Sequence, residues 1–204
     1  MLFDDTYKTI NQVSEGLYRE KGSKFIARVY HVDSESQIKE HLNQLRKEFY
    51  DARHHCYAYQ FGFDKSAYRV NDDGEPSGTA GRPIFGQIQS FDLTNVLIVV
   101  IRYFGGTKLG IGGLINAYRS AAKEAIENNK IETQTINEVY KINYPYPRMN
   151  EVMKIMKDSK LEQKDQIFEM DCELTFIVRK GEAIYIYDKL SKIKDLKISY
   201  IRTE

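Results

Sequence analysis

The sequence predicts an α+β protein with two domains. Alternating strand-like segments and helical periodicity mix irregularly over residues 1–134, whereas the predicted order after Thr135 is βαββαβ. A chain of 204 residues with 42% hydrophobic and 29% charged content can bury a core, and it fits one domain or two small ones. We therefore predict domains over 1–134 and 135–204, with the boundary between Glu132 and Asn137.

The first domain is predicted to open with a β-hairpin. Strands over 10–17 and 24–32 flank Lys21-Gly22-Ser23, a tripeptide typical of a turn. A helix follows, capped by Ser34 with Gln37 in capping-box spacing, and its apolar periodicity extends to about Phe49. Two further strands are predicted over 54–63 and 95–102, and a helix that begins after Gly113 and ends near 128–129.

The second domain is predicted to alternate strands with two helices. The strands cover 138–144, 161–168, 171–178 and 196–201, and the helices run from Pro147 past Met156 and over 182–192. Pro147 suits the first turn of a helix, and Gly181 marks the turn before the second one. No catalytic motif falls in this half.

Composition limits the classes of function. The net charge is +1, so no global field attracts nucleic acid, and any such binding must come from local clusters of basic residues. Cys56 and Cys172 fall in different predicted domains, which argues against a disulfide framework. The N-terminal residues lack a basic and apolar signal segment, and no apolar run approaches ~18 residues. We therefore expect a cytoplasmic protein that does not enter a membrane.

Two polar, glycine-rich segments, residues 71–83 and 102–114, are the strongest functional signal. Glycine lets backbone N–H groups approach a ligand, and the second segment runs from a strand into a helix N-terminus. We expect the two segments to form one ligand or RNA cleft, although Asp72-Asp73-Gly74 alone could be a surface turn. The candidate residues in these segments are Asp72, Asp73, Glu75, Ser77, Thr79, Arg82, Arg102, Tyr103 and Lys108.

The second segment is also a candidate anion-binding loop. It contains Lys108, and its glycines are Gly105, Gly106, Gly110, Gly112 and Gly113. Neither known nucleotide fingerprint fits, because a dinucleotide motif needs glycine in place of Ile115 and a P-loop needs Gly-Lys-Ser/Thr in place of Thr107-Lys108-Leu109. The alternative is a tight turn with close helix-on-sheet packing. We expect no cofactor.

His54 and His55 raise a metal or acid–base hypothesis with the acids of the first segment. Adjacent strand residues point to opposite faces, so only one of the two histidines can join those acids, and the sequence leaves open which one. Cys56 shares the face of His54, which raises a thiol nucleophile as a further alternative. The spacing matches no established metal or catalytic motif, so we expect neither a metal nor a catalytic residue.

An aromatic row on the same predicted strand has two interpretations. His55, Tyr57, Tyr59, Phe61 and Phe63 share one face, which could stack bases beside nearby arginines or could pack in the core. We predict core packing for most of the row, keep His55 and Tyr57 among the cleft candidates, and regard Tyr103 as the better stacking candidate.

Three blocks of the chain resemble the signature blocks of the IMPACT/YigZ family: HHCYAY at 54–59, NDDGEPSGTAGRP at 71–83 and RYFGGTKLGIGGL at 102–114. The resemblance implies an N-terminal domain like the second domain of a small-subunit ribosomal protein and domain four of elongation factor G, with a ferredoxin-like C-terminal domain. It also implies a composite cleft at His54, His55, Asp72, Asp73, Glu75, Thr79, Arg82, Arg102, Tyr103 and Lys108. Asn116 and Phe85 depart from the arginine and leucine usual there, and Arg119, one turn on, could partly compensate for the missing arginine.

The resemblance implies a role in translation, because the eukaryotic relative is a translational regulator acting through partner proteins of the amino-acid starvation kinase pathway. The leading hypothesis is a non-enzymatic protein that binds RNA, the ribosome or a translation factor through the cleft. Two alternatives stay open, an enzyme acting on a phosphate-bearing small molecule and a protein-binding adaptor. The sequence leaves the oligomeric state open.

Overall fold

The structure is a computed structural model that describes residues 5–204. Its contacts divide the chain into two compact units, residues 8–134 and residues 135–204 together with 5–7. Among the described residues, no helix combines the length and the apolar character needed to cross a membrane.

The elements between Thr6 and Thr135 are β1 (Thr6–Ile10), β2 (Ser14–Glu20), β3 (Ser23–His31), α1 (Glu35–Glu48), β4 (His54–Phe61), β5 (Ala67–Asn71), α2 (Gly81–Ser90), β6 (Val96–Tyr103), α3 (Gly110–Glu127) and β7 (Ile131–Thr135). The unit of residues 8–134 is built on a five-stranded antiparallel sheet in the order β2-β3-β6-β4-β5. A separate two-stranded sheet pairs β1 with β7.

Strand β6 lies at the centre of the sheet and separates two apolar cores. Its residues Leu97, Val99 and Ile101 pack with the buried face of α1. Ile98 and Val100 point the other way and pack with α2 and α3. Because a strand alternates its side chains between faces, this nearly unbroken apolar run serves both cores, as expected of a strand covered on both sides.

The predicted hairpin is present with a shorter first strand. Lys21 and Gly22 both have positive φ, +46° and +79°, the conformation of a tight hairpin turn. The strand predicted over 10–17 is wrong at its start, because β1 ends at Ile10 and β2 begins at Ser14. Ser34 is the N-cap of α1 but makes no capping hydrogen bond through its side chain.

Strands β5 and β7 and helix α2 were not predicted. The segment 71–83 was expected to be a loop throughout, but α2 begins at Gly81 and contains Pro83 in its first turn. The glycine-rich loop before α3 is also shorter than expected. Helix α3 begins at Gly110, so Gly112 and Gly113 lie in its first turn instead of in the loop.

The unit of residues 135–204 has the predicted βαββαβ order. Its four-stranded antiparallel sheet has the order β11-β8-β10-β9, and Ile142, Leu174 and Phe176 form a core with Val152 of α4 and Ile186 of α5. Pro147 lies in a short 3₁₀ turn, Tyr146–Arg148, just before α4. The elements are β8 (Asn137–Pro145), α4 (Met149–Asp158), β9 (Glu162–Ile167), β10 (Asp171–Arg179), α5 (Lys180–Leu190) and β11 (Lys197–Thr203).

Candidate functional site

The side chain of Asp72 caps the N-terminus of α2, although Asp72 precedes Ala80 and Gly81 by eight and nine residues in the chain. Its Oδ1 accepts hydrogen bonds from the backbone N–H groups of Ala80 (3.0 Å) and Gly81 (2.8 Å), and its Oδ2 accepts one from Gly78 (2.8 Å). Burial opposes ionisation of this carboxyl, but the three N–H groups outweigh it and hold the pKa of Asp72 below its ordinary value. The anion position at this helix end is therefore occupied by the chain itself.

Glu75 and Arg102 form a buried ion pair at the centre of a polar cluster. This polar cluster consists of the connected residues Cys56, Asp72, Glu75, Arg102 and Tyr118. Arg102 Nη1 donates to Glu75 Oε1 at 2.6 Å, and the Tyr118 hydroxyl donates to the same oxygen at 2.8 Å. The side chain of Arg102 is only 7% exposed, and that of Glu75 is only 4% exposed. The pair joins the end of β6 to the loop before α2 and to the third turn of α3.

Two aromatic rings enclose the guanidinium of Arg102. Its Cζ lies 5.4 Å from the ring centre of Phe25 and 5.5 Å from that of Phe104, within cation–π distance of both. Its Nε is buried without a hydrogen-bond partner among residues 5–204. Arg102 is therefore a component of the packed structure, and its charge is paired inside the protein.

Cys56 and His54 lie on the same side of the sheet and are held by the loop that contains Asp72. The Cys56 thiol contacts the Asp72 carbonyl oxygen at 3.0 Å and the Tyr118 hydroxyl at 3.3 Å, and burial raises the thiol pKa far above its ordinary value. A thiol held protonated in this way is a poor nucleophile. His54 Nδ1 lies 2.8 Å from the Asp73 carbonyl oxygen, which can only accept, so this nitrogen donates.

His55, Tyr57 and Tyr103 lie on the opposite, α1-facing side of the sheet, which corrects their predicted place in the cleft. The odd-numbered residues of β4 and β6 share this face because strand side chains alternate. Tyr57 is buried there, while the Tyr103 hydroxyl donates to Asp51 at 2.7 Å. Burial and the Asp51 carboxylate raise the pKa of Tyr103 to about 12.

His55 contacts the loop of the first polar segment through its backbone and, more loosely, through its ring, whose Nδ1 lies 4.0 Å from Asp73 Oδ2. Its N–H donates to Asp73 Oδ2 at 2.6 Å, while the imidazole Nε2 is buried without a partner among the described residues. Burial lowers the pKa of this imidazole below its ordinary value of 6.5. Both histidines therefore contact Asp73, His54 at its carbonyl oxygen and His55 at its carboxylate.

The remaining candidates divide into buried and exposed residues. The Thr79 hydroxyl donates to the Pro76 carbonyl at 2.6 Å and is buried, whereas Ser77, Arg82 and Lys108 are exposed. Gly105 lies against the β2–β3 turn, where its N–H donates to Ser23 Oγ at 3.1 Å. Within residues 5–204, no group of three or more His, Cys, Asp or Glu side chains is placed to hold a metal ion.

Tyr118 is the residue of this cluster that sequence reasoning missed. A signal was present, because a large hydroxyl-bearing ring interrupts the small residues Ala117, Ala121 and Ala122 on the buried face of α3. A buried tyrosine usually directs its hydroxyl to a polar partner, and here that partner is Glu75.

Comparison with known proteins identifies the family. The Impact N-terminal domain model matches residues 21–126. The chain is 29% identical to IMPACT family member YvyE of Bacillus subtilis over 87% of this chain and 82% of that protein. It is 35% identical to IMPACT family member YigZ of Escherichia coli over 63% and 64%. A crystal structure described as a hypothetical protein matches 97% of this chain and 98% of its own, with a TM-score of 0.71 and 25% identity. The chain belongs to the IMPACT family.

Proposed function

We propose that this protein is a non-enzymatic binding protein of the cytosolic translation apparatus. Its ligand is RNA, the ribosome or a translation factor, bound at the rim of the polar cluster in the unit of residues 8–134. Membership of the IMPACT family supports the link to translation, through the role that the sequence resemblance implies for the eukaryotic relative.

The observation that carries the proposal is the exposed loop between β6 and α3. Residues 104–108 are all exposed, and they include Lys108 next to the N-terminus of an 18-residue helix. Among residues 5–204, no side chain caps this helix end through a hydrogen bond, and no acidic residue lies in its first turn. The free N–H groups and the lysine together favour an anion such as a phosphate of RNA. At α2, in contrast, Asp72 already occupies the equivalent position.

The internal contacts of the cluster argue for binding over catalysis. Every candidate acid, base or nucleophile in it has a structural partner: Glu75 bonds Arg102, Asp72 caps α2 and the Cys56 thiol is buried. Such a network stiffens the floor beneath the loop and holds Glu75, Asp72 and Cys56 in structural roles. The cluster is therefore a scaffold that positions the exposed loop.

We also propose the finer fold assignments. When the four strands of the unit 135–204 are numbered by their order in the chain, they lie side by side in the sheet as 4-1-3-2. This order within a βαββαβ unit supports a ferredoxin-like arrangement. For residues 8–134, likeness to the second domain of a small-subunit ribosomal protein and to domain four of elongation factor G is supported by the sequence blocks at 54–59, 71–83 and 102–114.

Co-sedimentation with ribosomes, and separately retention of total cellular RNA, test the proposed function. We expect binding at low salt that falls as salt rises, because phosphate contacts release counterions. Lys108→Glu should weaken binding and lower the log–log salt slope by about one or more. Lys39→Glu is the matched control, because Lys39 is an exposed lysine on α1. Equal loss in both variants, or none in either, would exclude the loop as the binding site.

One observation favours the adaptor alternative. Phe104 and Ile111, on either side of the loop, are 55% and 65% exposed, and exposed apolar side chains of this size favour contact with a protein partner. Under that alternative, a protein partner binds with little salt dependence, and Ile111→Ser abolishes capture while Lys108→Glu does not. If ribosomes, RNA and factors all fail to bind at low salt, the phosphate-bearing small molecule becomes the next ligand to screen.

A further inference from the structure

A second concave site lies in the unit of residues 8–134, between the β4–β5 hairpin and the C-terminal half of α2. The cavity has a volume of about 460 Å³ and shares no residue with the polar cluster. Gln60 and Tyr68 face each other across the two strands, and Phe85 and Gln89 lie one turn apart on α2. The lining residues are Gln60, Lys65, Tyr68, Phe85, Gln89 and Asp92.

The cavity contains a supported aromatic platform. The rings of Tyr68 and Phe85 are stacked, with centres 5.1 Å apart and an interplanar angle of 21°. Phe85 is partly buried and packs against the core, which anchors the stack, whereas Tyr68 is 59% exposed. An anchored ring with a solvent-facing surface can stack a planar ligand at little cost in side-chain entropy.

A buried amide supplies a directed hydrogen-bond acceptor beside the platform. Gln60 is 6% exposed, and its Nε2 donates to the Leu93 carbonyl oxygen at 2.9 Å. A carbonyl only accepts, so this bond fixes which end of the amide is nitrogen and leaves Oε1 as the acceptor of a residue that lines the cavity.

The charges at the rim of the cavity neutralise each other. Lys65 Nζ and Asp92 Oδ1 form an ion pair there, and the other lining side chains are uncharged. Recognition in this cavity thus depends on stacking and directed hydrogen bonds, and only weakly on charge. This distinguishes it from the loop at Lys108, whose proposed binding depends on phosphate.

We propose that this cavity binds an unpaired nucleobase, stacked on Tyr68 with an N–H edge directed to Gln60 Oε1. A flat ring surface beside amide groups is the combination by which proteins recognise splayed bases of single strands. The base is supplied by a free nucleotide or by single-stranded RNA. The proposal is independent of the proposed function, because the two sites have different residues and different salt dependence.

Amide NMR titration of the full chain with AMP, CMP, GMP and UMP tests the proposal, with ribose 5-phosphate as the control ligand. At least one nucleotide should give saturable shifts confined to the hairpin and α2, and ribose 5-phosphate should give none. Tyr68→Leu should weaken binding by about tenfold or more, as loss of one base–aromatic stack predicts. Tyr68→Phe keeps the ring and should bind nearly as well as the parent chain. Both changes are at an exposed position, so folding should be preserved, and the spectra report it directly.

Comparison with a single-stranded hexanucleotide of the preferred base identifies the source. Tighter binding by the hexanucleotide indicates RNA, and equal binding per site indicates a free nucleotide; both support the proposal. The proposal is overturned if no nucleotide shifts these residues, if ribose 5-phosphate shifts them equally, or if Tyr68→Leu binds like the parent chain. Sensitivity of nucleotide binding to Lys108→Glu, with Tyr68→Leu silent, would assign the base to the loop instead.

Discussion

Disruption of the Glu75–Arg102 pair should be among the most damaging single changes available in the unit of residues 8–134. The two side chains are 4% and 7% exposed, so the discount that applies to surface ion pairs does not apply here. Glu75→Leu leaves a buried guanidinium without its counter-charge and the Tyr118 hydroxyl without its acceptor. Removing one member of a buried pair costs about 3–5 kcal/mol of unfolding free energy.

The assay is a double-mutant cycle on the full chain. Glu75→Leu, Arg102→Met and their combination are unfolded by denaturant and followed by far-ultraviolet circular dichroism. The double variant should lose less stability than Glu75→Leu alone, because apolar replacement of both partners leaves no buried charge. Lys123→Ala, which breaks an exposed pair with Glu127, is the control and should change stability by less than about 1 kcal/mol. The reasoning is refuted if Glu75→Leu behaves like that control or if the single losses add in the double variant.

Three further predictions concern pH, capping and close packing. Burial keeps the pKa of His55 below 6.5, so its contribution to stability is complete above pH 6.5 and is lost as the pH falls towards the folded-state pKa. His55→Phe should therefore flatten the dependence of unfolding free energy on pH between about 7 and 5; an unchanged slope would show that other groups cause it. Asp72→Ala should cost about 1–2 kcal/mol in denaturant unfolding, because three N–H groups lose their acceptor, and an unchanged midpoint would contradict the capping role. Gly105→Ala should lower the melting temperature sharply, because a Cβ there would lie 1.9 Å from the Gly22 carbonyl carbon. Gly112→Ala, in open space on α3, should leave the melting temperature unchanged or raise it, and similar behaviour of both variants would argue against that contact.

Local patterns predicted most of the strands and helices because their signals are local. The Lys21-Gly22 turn and the alternation of β4 needed only neighbouring residues to be recognised. Helix α2 was not predicted because its capping residue is not a sequence neighbour. Ala80, at the N-cap position, has no capping side chain, and Asp72, earlier in the chain, accepts the hydrogen bond instead. The glycines Gly78 and Gly81, followed by Pro83, were therefore interpreted as part of a loop.

Sequence reasoning found the residues of the candidate site better than their arrangement. Alternation restricted His54 and His55 to opposite faces, but the register between β4 and β6 was needed to place His54 opposite Arg102. Side chains alternate along β6, so Tyr103, the residue after Arg102, lies on the α1 side of the sheet. The partner that neutralises Arg102 is Glu75, 27 residues away, and no spacing rule connects the two.

The central position of β6 has a consequence for interpreting mutations. Residues with odd numbers in this strand contact the α1 layer, and those with even numbers contact the layer of α2 and α3, which carries the polar cluster. A change at Val99 should therefore be felt first by α1, and a change at Val100 by the helices beside the cluster. The parity of a residue number thus becomes a practical guide for engineering either face while leaving the other undisturbed.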